Sequence, residues 1–342
     1  MKKKSIYIAY TGGTIGMKKS KDGYIPVPGY LKKQLINIPD FHKSEIPNFI
    51  IHEYHPLIDS SNMTPLEWQK IADDIYKNYN KYDGFIVLHG TDTMSYTASA
   101  LSFILDNLQK PVIITGSQIP LSEIRSDARQ NLLNALFIAA NYPISEVTLF
   151  FNNKLYRGNR TTKAHADGFN AFISPNFTQL LEIGIQIRYI VKPIIVNTNK
   201  SFTVHRITHQ PIGVIIIYPG ISSQVIHNYL LQPVKALILC SYGIGNAPQN
   251  KKFLNELYDA YQRNIIVINL TQCISGRVNM NGYATGNTLR QAGVISGYDL
   301  TIEATLTKLH FLFSQQLSYK NIRKKMQTNL KGELTPENTK LI

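Results

Sequence analysis

Apolar residues fall along this chain in short uninterrupted runs that alternate with longer stretches of helical spacing. Runs at residues 5–10, 49–54, 85–88, 112–115 and 147–151 are each four to six residues long, rich in Ile, Val and Phe, and read as strands, those at 5–10 and 85–88 as buried ones. Between them, Thr64-Pro65-Leu66-Glu67 opens a helix. Thr64 caps it, Pro65 takes the first helical position and Glu67 can close a capping box, so the pattern predicts a helix to about Tyr79. A second helix is expected with Ala98, Leu101, Ile104, Leu105 and Leu108 on one face, and a third over residues 128–140. This order implies a mainly parallel sheet covered by helices on both faces.

The pattern breaks over residues 187–210, where Pro193, Asn197, Asn199 and Lys200 interrupt it; this stretch reads as an extended linker with a short strand pair. A second series follows, with strands at 214–218, 236–240 and 265–270, a helix after each, and final helices near 301–315 and 318–329. The expectation is therefore an α/β protein of two domains, residues 1–190 and 212–342, joined by a linker at 191–211. The larger N-terminal domain should carry a mostly parallel, flavodoxin-like sheet and the smaller C-terminal domain a parallel α/β sheet. The polar end beyond Gly332 is expected to fray.

Composition changes the picture little. The formal net charge is +14 over 342 residues, but the lysines are scattered and no aromatic-rich RNA-binding signature interleaves with them, so no nucleic-acid partner is expected. The two cysteines, Cys240 and Cys273, make neither a disulfide framework nor a metal finger, and the histidines show no metal-ligand spacing. No apolar run approaches the roughly 20 residues that span a bilayer, and the apolar stretch behind Lys2-Lys3-Lys4 is too short for a secretory signal. A reducing cytoplasmic location without membrane contact is the expectation.

Candidate chemistry gathers where strands end, as open α/β sheets require. Thr11-Gly12-Gly13-Thr14 and His89-Gly90-Thr91-Asp92-Thr93 each follow a buried run and present threonine hydroxyls. The first is neither a dinucleotide fingerprint nor a Walker loop, and taken alone it could be a structural turn. Asp92 or Thr93 could merely cap the next helix. Lys163, in Arg160-Thr161-Thr162-Lys163, could pair with Asp92 and relay protons, though most lysines are solvated. Asp59 and Ser60 could bind a substrate ammonium and carboxylate, or only form a turn. Tyr24 could move a proton; His89 reads as a packing or orienting residue.

These segments resemble the L-asparaginase family. The match includes Tyr10-Thr11-Gly12-Gly13-Thr14-Ile15-Gly16, Leu88-His89-Gly90-Thr91-Asp92-Thr93-Met94, Gly116-Ser117-Gln118-Ile119-Pro120, Asn159 to Ala164, Tyr218-Pro219-Gly220 and Gly243 to Pro248, and it is most similar to the cytosolic bacterial type I enzymes. The resemblance implies hydrolysis of L-asparagine to L-aspartate and ammonia without metal or organic cofactor. It makes Thr14 the nucleophile, assisted by Tyr24; Thr91, Asp92 and Lys163 a second triad; and Asp59 and Ser60, with Thr91 and Asp92, the grip on the substrate. Backbone N–H groups near Gly13 and Thr91 would bind the oxyanion. It further implies a homo-oligomer, a dimer or dimer of dimers, with each site completed by a neighbour. Some members carry an allosteric asparagine site, and Thr162, Cys240, Asn246, Thr271 and Cys273 match positions near it; close relatives have arginine at 240, so effector binding is expected to be weakened here. The alternative function, an asparaginase-like subunit of a tRNA-dependent amidotransferase, is disfavoured by the lack of room for an extra N-terminal domain before the first strand. A catalytically dead scaffold is disfavoured because every expected catalytic residue is present.

Overall fold

The computed structural model describes residues 3–21, 23–194, 199–231, 233–282 and 284–336. It divides into two compact units, Met1–His205 and Arg206–Ile342. The division falls within the stretch expected as a linker; Asn197 of that stretch lies outside the described residues.

The first unit is built on an eight-stranded sheet. Five strands are parallel, in the order Val147–Phe151, Val112–Thr115, Gly84–Leu88, Ser5–Tyr10, Asn48–Glu53. The central ones are buried at every position, which is why they read as unbroken apolar runs. On one face, helix Ala128–Asn141 sets Leu132, Ala135, Leu136 and Ala139 against Ile6, Ile8, Ile86 and Ile113. On the other lie helices Pro65–Asn78 and Met94–Ile104. The first of these carries the capping box at Thr64 and Glu67, and its Asp74 accepts from Tyr7 and Tyr54 hydroxyls at 2.9 Å.

Several elements differ from the sequence expectation. Lys154–Arg157, Leu181–Ile183 and Ile187–Tyr189 extend the sheet antiparallel beyond Val147–Phe151. The last of these lies in the segment read as linker. The helix expected to reach Leu108 stops at Ile104, because Leu105 and Asp106 turn extended and pair with Val204 and Thr203. A hairpin of Met17–Ser20 and Gly23–Pro26 and a helix at Tyr30–Ile36 precede the second parallel strand.

The second unit holds a four-stranded parallel sheet, Ile212–Ile216, Ala236–Ser241, Ile266–Thr271 and Ile295–Ser296. Alternate residues of the central strand enter two cores. Leu237 and Leu239 pack with Ile226, Phe253 and Leu257, whereas Ile238 and Cys240 pack with Ala304, Leu309, Ile322 and Met326. The chain beyond Gly332 does not fray at once: Glu333 and Leu334 are both 0% exposed, because Glu333 pairs with buried Lys308. Residues 337–342 lie outside the described residues.

Candidate active site

Three loops at the carboxyl ends of the parallel strands meet in the first unit, and two glycines allow it. Gly13, at φ +90°, lies so close to the next loop that a Cβ on it would collide with the backbone nitrogen and Cα of Gly90. A Cβ on Gly90 would in turn strike the Ser60 hydroxyl. Hydrogen bonds fix this arrangement. Thr11 donates from its backbone nitrogen and its hydroxyl to Leu88 O at 3.0 and 2.9 Å, and Thr93 donates its hydroxyl to Ser60 O at 2.6 Å. Side chains of Thr14, Ser60 and Thr91 are thereby presented from adjoining backbone.

Thr14 begins a short 3-10 turn, Thr14–Gly16, and is half-buried. Among the described residues its hydroxyl has no hydrogen-bond partner. A fourth strand-end loop reaches this turn, since Leu121 N donates to Ile15 O at 3.1 Å.

Lys163 lies on a two-residue strand paired with Phe172–Ile173. Its ammonium donates to Asp92 Oδ1 at 2.7 Å and to Thr91 Oγ1 at 3.0 Å. Thr91 is buried, while the Asp92 carboxylate is 66% exposed. Thr91 donates its own hydroxyl proton to Gln118 Oε1 at 3.0 Å. That direction is fixed by Gln118, whose Nε2 donates to the carbonyls of Ala166 and Gly168, both at 3.1 Å, leaving only its oxygen to face Thr91. Thr91, Asp92 and Lys163 thus form one connected group. Its threonine oxygen receives a proton bond from the lysine and gives one to the amide.

Asp59 is exposed and caps its own turn, accepting from Ser61 N at 2.9 Å, while Ser60 is buried against Gly90. Tyr24 lies on the hairpin strand Gly23–Pro26, opposite Lys19 and 44% exposed, with no hydrogen bond to Thr14. Among the described residues no group of three or more His, Cys, Asp or Glu side chains could hold a metal ion, and no helix is long and apolar enough to cross a membrane.

Residues 5–195 match the family model for the asparaginase N-terminal domain, and residues 211–326 match the glutaminase/asparaginase C-terminal domain. The chain belongs to the asparaginase family. L-asparaginase 1 of Escherichia coli K12 is 67% identical to it over 98% of this chain and all of the relative. The crystal structure of L-asparaginase I from Vibrio cholerae superposes with a TM-score of 0.92 at 61% identity, covering 97% of this chain and 99% of that one. A component of the glutamyl-tRNA(Gln) amidotransferase of Pyrococcus abyssi is only 31% identical, over 97% of this chain and 77% of its own length.

The residues expected for an effector site in this asparaginase-family chain are described unit by unit. In the second, Thr271 donates to Gly243 O at 2.5 Å and accepts from Cys273 N at 3.0 Å, and Asn246 accepts from the Thr285 hydroxyl at 2.5 Å. Thr162 is in the first unit, opposite Ile173. Cys240 differs from these polar positions: it is 1% exposed inside the core, where burial pushes its thiol up to about 11.

Two residues of the site carried no assigned role in the sequence. One is Gln118, whose segment Gly116 to Pro120 was part of the family match. The other is Asp127, whose carboxylate accepts from the backbone nitrogens of Gln118 and Ile119 at 3.1 Å and holds that loop; burial raises its pKa above the usual carboxylate range.

Proposed function

We propose that the protein hydrolyses the side-chain amide of L-asparagine to L-aspartate and ammonia, with Thr14 as nucleophile. The observation that carries this reading is the Lys163 ammonium held by both Thr91 and Asp92 beside the loop that bears Thr14. The substrate follows from the L-asparaginases of E. coli and V. cholerae, alike over nearly the whole chain.

In this mechanism the Thr14 oxygen bonds to the amide carbon as its proton leaves toward Tyr24. The carbonyl electron pair moves to oxygen and is met by backbone N–H groups of the two glycine loops. Collapse expels the amide nitrogen, which leaves protonated as ammonia, and a β-aspartyl ester remains. Water directed by Thr91 and Lys163 attacks that ester, releasing aspartate and returning the proton to Thr14. Asp59 and Ser60 hold the substrate's ammonium and carboxylate.

The same reading makes the protein a cytoplasmic homo-oligomer whose domains are 1–190 and 212–342. It also expects effector binding to be weakened, because Cys240 offers no cation for an effector carboxylate. Ammonia release from L-asparagine tests the assignment. Thr14→Ala is expected to lower kcat roughly ten-thousandfold or more in a folded protein. A Thr14→Ala enzyme with near wild-type turnover removes Thr14 from the nucleophile's place.

A further inference from the structure

A chain of buried polar groups ends on the backbone of the catalytic loop, and its proton directions are fully determined. Trp68 Nε1 donates to Thr97 Oγ1 at 3.1 Å, and an indole can only donate. Thr97 Oγ1 lies 2.8 Å from His89 Nε2, and His89 Nδ1 lies 2.7 Å from the carbonyl oxygen of Gly90. A carbonyl can only accept, so Nδ1 carries the ring proton. The ring is completely buried and neutral, its pKa pushed down to about 4 by desolvation, so Nε2 bears a lone pair and Thr97 must donate to it. Every proton thus runs one way, from Trp68 through Thr97 and His89 to the Gly90 oxygen.

The Gly90–Thr91 peptide is trans and planar, so its carbonyl and its N–H point in opposite directions. Turning the Gly90 oxygen inward to the ring turns the Thr91 N–H outward, away from the core. That N–H has no partner among the described residues. Gly90 carries no side chain, and its backbone freedom would let this peptide rotate if nothing held it.

We propose that His89 is a positioning residue that locks the Gly90–Thr91 peptide plane so that the Thr91 N–H faces the developing oxyanion. This rests on the proposed amide hydrolysis and assigns to it a residue that touches neither substrate nor nucleophile. Trp68 and Thr97, from the two helices behind the sheet, hold the ring in register.

The test compares two amide replacements. In His89→Asn the amide nitrogen replaces Nδ1 and still reaches the Gly90 oxygen; in His89→Gln it falls near the Nε2 position and does not. His89→Gln is expected to lower kcat about tenfold or more with KM changed by less than about threefold, and His89→Asn to recover most of kcat. L-aspartate β-semialdehyde adds the Thr14 hydroxyl across its aldehyde, forming a hemiacetal whose oxygen needs the same donors. His89→Gln should weaken its inhibition about tenfold while leaving inhibition by L-aspartate unchanged. Equal losses in the two variants, or a drop in Tm with kcat and aldehyde inhibition preserved, would overturn the proposal. The wild-type tautomer judges it without any activity: nitrogen NMR of 15N-histidine-labelled protein should find the proton on Nδ1. A proton on Nε2 refutes the inference, whereas a wild type that releases no ammonia from asparagine refutes the proposed function instead.

Discussion

Two lysine–carboxylate pairs, one in each unit, show how the same chemistry serves opposite ends. Lys308 and Glu333 are both 0% exposed. The three ammonium protons of Lys308 go to Glu333 Oε1 at 2.5 Å, Thr328 O at 2.7 Å and Met326 O at 3.2 Å, while Glu333 also accepts from the backbone nitrogens of Leu330 and Lys331. Nothing is left over to react. Lys163 spends two donors, on Thr91 and Asp92, and its Asp92 partner is largely exposed. A saturated pair ties the C-terminal turn to two helices. An unsaturated pair keeps a donor and an acceptor free for a passing substrate or water.

The comparison breaks most sharply at Lys163. Lys163→Met is expected to lower kcat for asparagine roughly 10²–10⁴-fold, with Tm nearly unchanged because the Asp92 carboxylate it leaves behind is largely exposed to water. A Lys163→Met enzyme that melts far below wild type while keeping its turnover reverses the two roles. Lys308→Met should do the converse. It strands a buried carboxylate and is expected to cost about 3–5 kcal/mol in urea unfolding, while the folded fraction keeps its kcat. Adding Glu333→Leu should recover much of that loss, and a double variant no more stable than the single one would mean that the charge is not what matters.

Two buried histidines sharpen the contrast. His89 and His310 have rings pushed down from 6.5 to about 4, chiefly by burial. Their folded values lie below the unfolded value, so their contribution is complete above pH 6.5 and is lost as pH falls from 6.5 to 4. Each is expected to remove about 3 kcal/mol across that window. Urea midpoints measured from pH 7 to pH 4 check this, and His310→Gln should flatten the curve. The smallest effect concerns the thiols. Exposed Cys273 should react with an alkylating reagent in the native protein, while Cys240 reacts only after denaturation.

The central parallel strands were legible because burial on both faces leaves a short apolar run, too short for a helix and bounded by turn residues. The threonine loops were legible because both follow buried runs and match family segments; as glycine turns alone they left a structural reading open. The antiparallel strands were not, since Arg157, Glu182 and Arg188 interrupt stretches of only three or four residues. Gln118 belonged to a recognisable motif yet suggested no work, because its partners Ala166 and Gly168 are about fifty positions away and a polar loop residue carries no period. Glu333 read as part of a solvated tail, since a carboxylate announces exposure unless its buried cation is known. The exposed position of Tyr24 on its hairpin is a matter of loop geometry that spacing does not encode.

The contact between Gly13 and Gly90 also bears on how such a site can diversify. Most contacts inside a protein can drift by exchanging one side chain for another of similar bulk. Where two backbones touch with no side chain between them, every substitution adds matter, and none can be compensated by trimming a neighbour. The floor of the site is therefore closed to gradual change, while its rim, where Asp59 and Tyr24 stand in solvent, stays open to it. New substrates would be accommodated by altering that rim over an unaltered floor.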